Sequence, residues 1–176
     1  MGDTNTIIDV LLEREPFVED SYKVLSLCEE HKIDGFVSAS SVTDIYYLVR
    51  KYTHSTDLAY KAVGKMLEIV KVCSVTNNDV LTAFQRKAKD FEDCLVAICA
   101  RSIRCNYIIT RNKKDFEEFD IPVLTPTELL QQAPARTTPW PRPPRRWGWP
   151  PPSASPRSCS CSVRPPLASP RWRSPC

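Results

Sequence analysis

Hydrophobic and polar positions alternate between two periods along the first 131 residues. Thr6-Ile7-Ile8-Asp9-Val10-Leu11-Leu12-Glu13-Arg14 reads as a short helix ended by Pro16. Residues 17–31 form a second helical pattern, with Val18, Tyr22, Leu25 and Cys28 on one face. Asp34-Gly35-Phe36-Val37-Ser38-Ala39 is a strand after a turn, and Ser40 or Ser41 is expected to cap a helix to about Tyr52. A long helix starts at Thr56 or Asp57, apolar at Leu58, Ala62, Met66, Ile69 and Val70. Val72-Cys73-Ser74-Val75 reads as a strand, and Asn77 or Asn78 should cap a helix to about Lys87. Residues 91–104 read as a helix, Tyr107–Thr110 and Pro122-Val123-Leu124 as strands. Thr125-Pro126-Thr127-Glu128-Leu129-Leu130 is a capped terminal helix with proline near its first turn. Strands alternating with helices predict an α/β fold: three layers, α/β/α, with a mainly parallel sheet.

Composition divides the chain in two. A domain is expected over residues 1–131 and a Pro/Arg-rich tail over 132–176. Of the 16 prolines, 13 follow residue 133, together with all four tryptophans and eight arginines but no acid. The segment before them therefore carries 16 Lys and Arg against 21 Asp and Glu, so it is acidic although the whole chain is +3. Proline at that density excludes helix and central strand, which predicts disorder or local polyproline II. A basic arm for nucleic acid or a proline-rich ligand is one reading of the tail. A non-native extension from a frameshift or fusion is the other, favoured by an abrupt switch to residues with GC-rich codons.

No run of 18 apolar residues and no secretory leader is present, so a cytoplasmic protein without a membrane segment is expected. Five cysteines lie in the domain: Cys28, Cys73, Cys94, Cys99 and Cys105. None forms Cys-x-x-Cys, and the only histidines are His31 and His54, which argues against a zinc site. Cys94 and Cys99 read as small buried hydrophobes of a reducing compartment.

Four carboxylates stand where the pattern would otherwise be apolar or uncharged. Asp3 precedes the first helical run, and Asp44 lies within the stripe Val42-Thr43-Asp44-Ile45-Tyr46-Tyr47-Leu48. Asp93 has Val96, Ala97 and Ala100 at i+3, i+4 and i+7, small residues that suit close approach to a sheet. Asp115 follows the run Tyr107–Asn112, read as a buried strand and its exit loop. Converging carboxylates repel and are costly to desolvate unless a cation neutralises them. Such oxygen ligands suit Mg²⁺ or Mn²⁺. The bland alternatives are ordinary ones: Asp3 and Asp115 as helix caps, and Asp44 as a water-facing helix acid. Asp90, Glu92, Glu117 and Glu118 read as a solvated acidic surface. Tyr46 and Tyr47 read as core and rim packing rather than a base-stacking platform.

Asp3-Thr4-Asn5, Ser38-Ala39-Ser40-Ser41-Val42-Thr43-Asp44-Ile45-Tyr46-Tyr47-Leu48, Asp90-Phe91-Glu92-Asp93 and Thr110-Arg111-Asn112-Lys113-Lys114-Asp115-Phe116 occur in that order. Together they closely resemble PIN-domain proteins over about residues 3–131. The resemblance implies a metal-dependent ribonuclease that cleaves single-stranded RNA, of the kind found as toxins in bacterial toxin–antitoxin pairs. It implies Asp3, Asp44, Asp93 and Asp115 as the acidic quartet, with Asp3 and Asp93 as metal ligands for Mg²⁺ or Mn²⁺. Asn5, Thr110 and Asn112 would support the site, and Arg111, Lys113 and Lys114 would contact RNA. RNA, a small antitoxin protein and a second copy of the chain are the partners it suggests. Asp44 stands where the family often has Glu, and only Met1 and Gly2 precede Asp3, where the family has an apolar central strand. A sheet short of its first strand is therefore expected. That leaves two competing readings: a PIN-like module that binds RNA or protein without cutting, and a truncated or frameshifted inactive product.

Overall fold

Each change of hydrophobic period along the sequence becomes a change of element in the computed structural model, which describes residues 1–132. The tail expected to be disordered lies, from Ala133 onward, outside the described residues. In chain order the elements are α1 (Thr4–Leu11), α2 (Val18–Glu29), β1 (Phe36–Ser38), α3 (Ala39–Thr53), α4 (Thr56–Ile69), β2 (Lys71–Cys73), α5 (Asn77–Arg86) and α6 (Phe91–Ser102). There follow β3 (Ile108–Ile109), a 3-10 turn (Lys113–Phe116), β4 (Val123–Leu124) and α7 (Pro126–Gln132).

The strands are short and parallel. β1 pairs with β2, Val37 opposite Val72, and β3 pairs with β4, Ile109 opposite Leu124. The strand that the sequence pattern lacks is represented by a single rung between these two pairs. Gly2 N–H donates to the Phe36 carbonyl at 2.8 Å. Ile109 N–H donates to the Met1 carbonyl at 2.8 Å, and Asp3 N–H to the Ile109 carbonyl at 2.9 Å. Gly2 and Ile109 make a parallel bridge. Met1–Asp3 thus joins β1 to β3, giving the order β4-β3-rung-β1-β2. Backbone groups need partners, not length, and three residues suffice to satisfy those that face each other here.

Alternating side chains send the sheet into two cores. Met1, Cys73 and Ile108 pack on one face with Ala83 of α5, Val96 and Ala100 of α6, and Phe116 and Phe119. Val37 packs on the other face with Ile7 and Ile8 of α1, Ile45 and Val49 of α3, and Ala59, Ala62 and Met66 of α4. Two separate helical layers against one parallel sheet are the three-layer α/β/α arrangement. Gly35 marks a close approach: a Cβ there would lie 2.7 Å from Cys28 Sγ and 2.9 Å from Val70 Cγ1.

The caps of α3 and α5 fall slightly earlier than the pattern predicts. Ser38, the last residue of β1, caps α3 by accepting from Ser41 N–H, in place of Ser40 or Ser41. α4 starts at Thr56, as the pattern predicts, with Ser55 as its cap accepting from Leu58 N–H. Thr76, in place of Asn77 or Asn78, caps α5 in a reciprocal box with Asp79. A cap must itself be extended while reaching a donor three residues on, so the residue just before the periodic run fills that post. Among the described residues no helix is long and apolar enough to cross a membrane.

Candidate active site

Four short segments deliver carboxylates to one cleft. The rung ends at Asp3, whose backbone is extended (φ −72°, ψ 151°) as it enters α1. Its carboxylate makes no capping hydrogen bond to α1. Instead Oδ2 accepts from Thr110 Oγ1 at 2.8 Å and from Asn5 Nδ2 at 3.3 Å. Asp3 is 4% exposed. Burial raises its pKa, opposed first by the Thr110 and Asn5 side chains.

Asp93 sits in the first turn of α6, whose cap is Asp90. The Asp90 carboxylate accepts from the N–H groups of Glu92 and Asp93 at 2.9 and 3.2 Å. Burial pushes Asp93 up to about 7, with further contributions from the charges of Asp3, Asp90, Asp115 and Glu92. Glu92 is raised as well, by burial first and then by Asp44, although Thr4 Oγ1 donates to it at 3.3 Å. Asp115 lies inside the 3-10 turn and caps nothing; it accepts a hydrogen bond from Asn112 Nδ2. Asn112 N–H in turn donates to Thr110 Oγ1 at 3.1 Å. Asp44, half-buried on α3, completes the set, with Tyr47 and Leu48 one turn further on.

Asp3, Asp44, Asp93 and Asp115 line this one cleft of about 340 Å³ together with Thr4, Asn5, Tyr47, Leu48, Asp90 and Glu92. Among the described residues no Lys, Arg or His lines it. Asp90 and Glu92, expected on a solvated acidic surface, are exposed and also line the cleft. Their spacing from Asp93 within one helical turn was the available signal. Tyr47 was read as packing, yet it is 61% exposed at the cleft, while Tyr46 packs edge-on against Tyr60 at 5.2 Å.

The three basic residues of the β3 exit loop lie elsewhere. Arg111 turns away from the cleft: Nε is 2.9 Å from Asp9 Oδ2, and the guanidinium lies 4.2 Å from the Phe17 ring centroid. Lys113 bonds both Glu128 oxygens at 3.0 Å. Lys114 is exposed.

The donor chemistry fits a hard divalent cation: six carboxylates, all oxygen donors, with no basic residue lining the cleft among the described residues. The acids are not drawn tight, however. Among the described residues no three His, Cys, Asp or Glu side chains converge closely enough to hold an ion. Mutual repulsion keeps uncompensated carboxylates apart, and Thr110, Asn112 and Thr4 hold Asp3, Asp115 and Glu92 in separate hydrogen bonds.

No curated protein matches the chain. A family model described as the PIN domain matches residues 1–114, ending one residue before Asp115. That match runs from the central rung into the 3-10 turn, well over half of the chain, and the protein belongs to the PIN-domain family, whose members are in general metal-dependent nucleases.

Proposed function

We propose that the protein is a Mg²⁺- or Mn²⁺-dependent endoribonuclease that cleaves single-stranded RNA. One observation carries this reading. Carboxylates from four separate segments share a cleft that no basic residue lines among the described residues, and one of them, Asp93, is raised to about 7 by burial and by its neighbours' charges. Such a set is unfavourable in itself and is relieved by a divalent cation.

Asp3 and Asp93 would hold the ion, with Asp44 and Asp115 completing its surroundings directly or through water. A bound Mg²⁺ or Mn²⁺ lowers the pKa of coordinated water and stabilises charge on the phosphate. The chain's own residues do the positioning. Thr110 and Asn5 fix the rotation of the Asp3 carboxylate, and Asn112 fixes Asp115. Water attacks phosphorus in line as the 3′ oxygen leaves with a proton, which yields 5′-phosphate and 3′-hydroxyl ends. Exposed Tyr47 offers a ring on which an unpaired base can stack, in keeping with a single-stranded substrate. A toxin role with a small antitoxin protein as partner belongs to the same reading and rests on the family likeness.

The test is cleavage of a labelled single-stranded RNA by the full chain with Mn²⁺, with EDTA, and by Asp93→Asn. Cleavage lost in EDTA and in Asp93→Asn supports the proposal. Metal-independent cleavage that survives Asp93→Asn overturns it. A second reading, a PIN-like module that binds RNA or protein without cutting it, draws on the acids' lack of convergence. Under that reading Mn²⁺ leaves the melting temperature of the chain unchanged; under the nuclease reading it raises it.

A further inference from the structure

Asp9 is the most enclosed charge among the described residues. It is 0% exposed, and neither of its oxygens has a well-aligned hydrogen bond. Burial raises its pKa, opposed first by Arg111 and then by Arg14. Arg111 Nε stands 2.9 Å away as a close ion pair, and Phe17 covers the guanidinium at 4.2 Å. Replacing a buried ion pair by apolar residues is often neutral or stabilising, so stability alone explains this arrangement poorly.

What the pair reaches is informative. Asn5 and Asp9 lie four residues apart on α1 and share a face. Both face the loop leaving β3. There Arg111 Nη2 donates to Asn5 Oδ1 at 3.3 Å, and Asn5 Nδ2 donates to Asp3 Oδ2 at 3.3 Å. The neighbouring residue, Thr110, donates to the same Asp3 oxygen at 2.8 Å. An amide side chain can turn over and exchange its oxygen for its nitrogen. The Arg111 donor prevents that, because it requires the Asn5 oxygen on its own side and so sends the NH2 group to Asp3.

We propose that Asp9 and Arg111 are positioning residues of the acidic site, acting through Asn5 to set the Asp3 carboxylate, so that Arg111 is an internal strut and not an RNA contact. The proposal rests on the nuclease reading for its kinetic consequence, but the hydrogen-bond chain is independent of it. Outer partners of metal-binding carboxylates commonly change metal affinity or activity by about 10–100-fold when removed.

Arg111→Lys is the informative variant. It keeps a cation beside Asp9 but lacks the planar fork that spans Asp9 and Asn5. Asp9→Asn removes the anchor charge and is the companion; if it does not fold, Arg111→Lys carries the test alone. Four quantities are measured on the full chain: kcat and KM with single-stranded RNA at two salt concentrations, Mn²⁺ affinity by calorimetry, and the ¹⁵N side-chain amide resonance of Asn5. Expected are a kcat roughly 10–100-fold lower at unchanged KM and salt dependence, weaker Mn²⁺ binding, and a shifted Asn5 resonance. A raised KM with a shallower salt dependence and an unmoved Asn5 resonance would make Arg111 a phosphate contact and overturn the proposal. So would unchanged kcat and Mn²⁺ affinity. If the wild type cuts no RNA, the nuclease reading fails, while Mn²⁺ affinity and the Asn5 resonance still decide the strut.

Discussion

Asp93→Asn should stabilise the protein while ending its proposed chemistry. The folded pKa of Asp93, about 7, stands above the ordinary 3.8. A carboxyl raised in this way contributes its full stability below about pH 4, where both states are protonated. That contribution is lost as pH rises through 7, because the folded state must then carry a charge that the unfolded state holds at less cost. Three units at about 1.36 kcal/mol each would give a ceiling of ~4 kcal/mol. Asp93 is only half-buried, and solvent screening reduces this to about 1–2 kcal/mol. Asn keeps the shape and cannot ionise. Urea unfolding of the full chain in EDTA, at pH 5 and pH 8, measures the difference. The variant should exceed the wild type by about 1–2 kcal/mol at pH 8 and by less at pH 5. Saturating Mn²⁺ should reverse the order, because the cation stabilises only a site that can bind it. A variant no more stable than the wild type at pH 8, or a gap independent of pH, would show that the Asp93 charge does not strain the fold.

Two further substitutions test the frame around the site. Gly35→Ala should lower stability by about 1–3 kcal/mol, because its Cβ would press on Cys28 Sγ and Val70 Cγ1; a thermal melt should show Cys28→Ala recovering part of the loss. Asp79→Ala removes the α5 capping box and the acceptor of Ser102, costing roughly 1–2 kcal/mol at neutral pH. Hydrogen bonds from Thr76 hold the Asp79 pKa below its ordinary value, so this stability is present above about pH 4 and fades as pH falls further. Denaturant melts that show the same deficit at pH 7 and pH 3 would contradict it.

The order and kind of nearly every element are legible along the chain, because helix and strand follow from local period and the residues that interrupt it. The 3-10 turn at Lys113–Phe116 carries too short a pattern to announce itself. The four acids were legible too, since a charge within an apolar stripe is a local anomaly. Their gathering on one cleft was not. Asp3 and Asp93 lie 90 residues apart, and only the parallel sheet, with Met1–Asp3 held between β1 and β3, brings their segments together. The posts of Arg111, Asp9 and Glu92 were likewise undecided by sequence. A basic loop residue looks the same whether it meets a phosphate or a buried carboxylate, and an acid beside Asp93 looks the same facing water or the cleft. Side-chain identity sets which bonds a residue can make; which partner stands 3 Å away depends on how distant segments pack, and tertiary structure alone decided that.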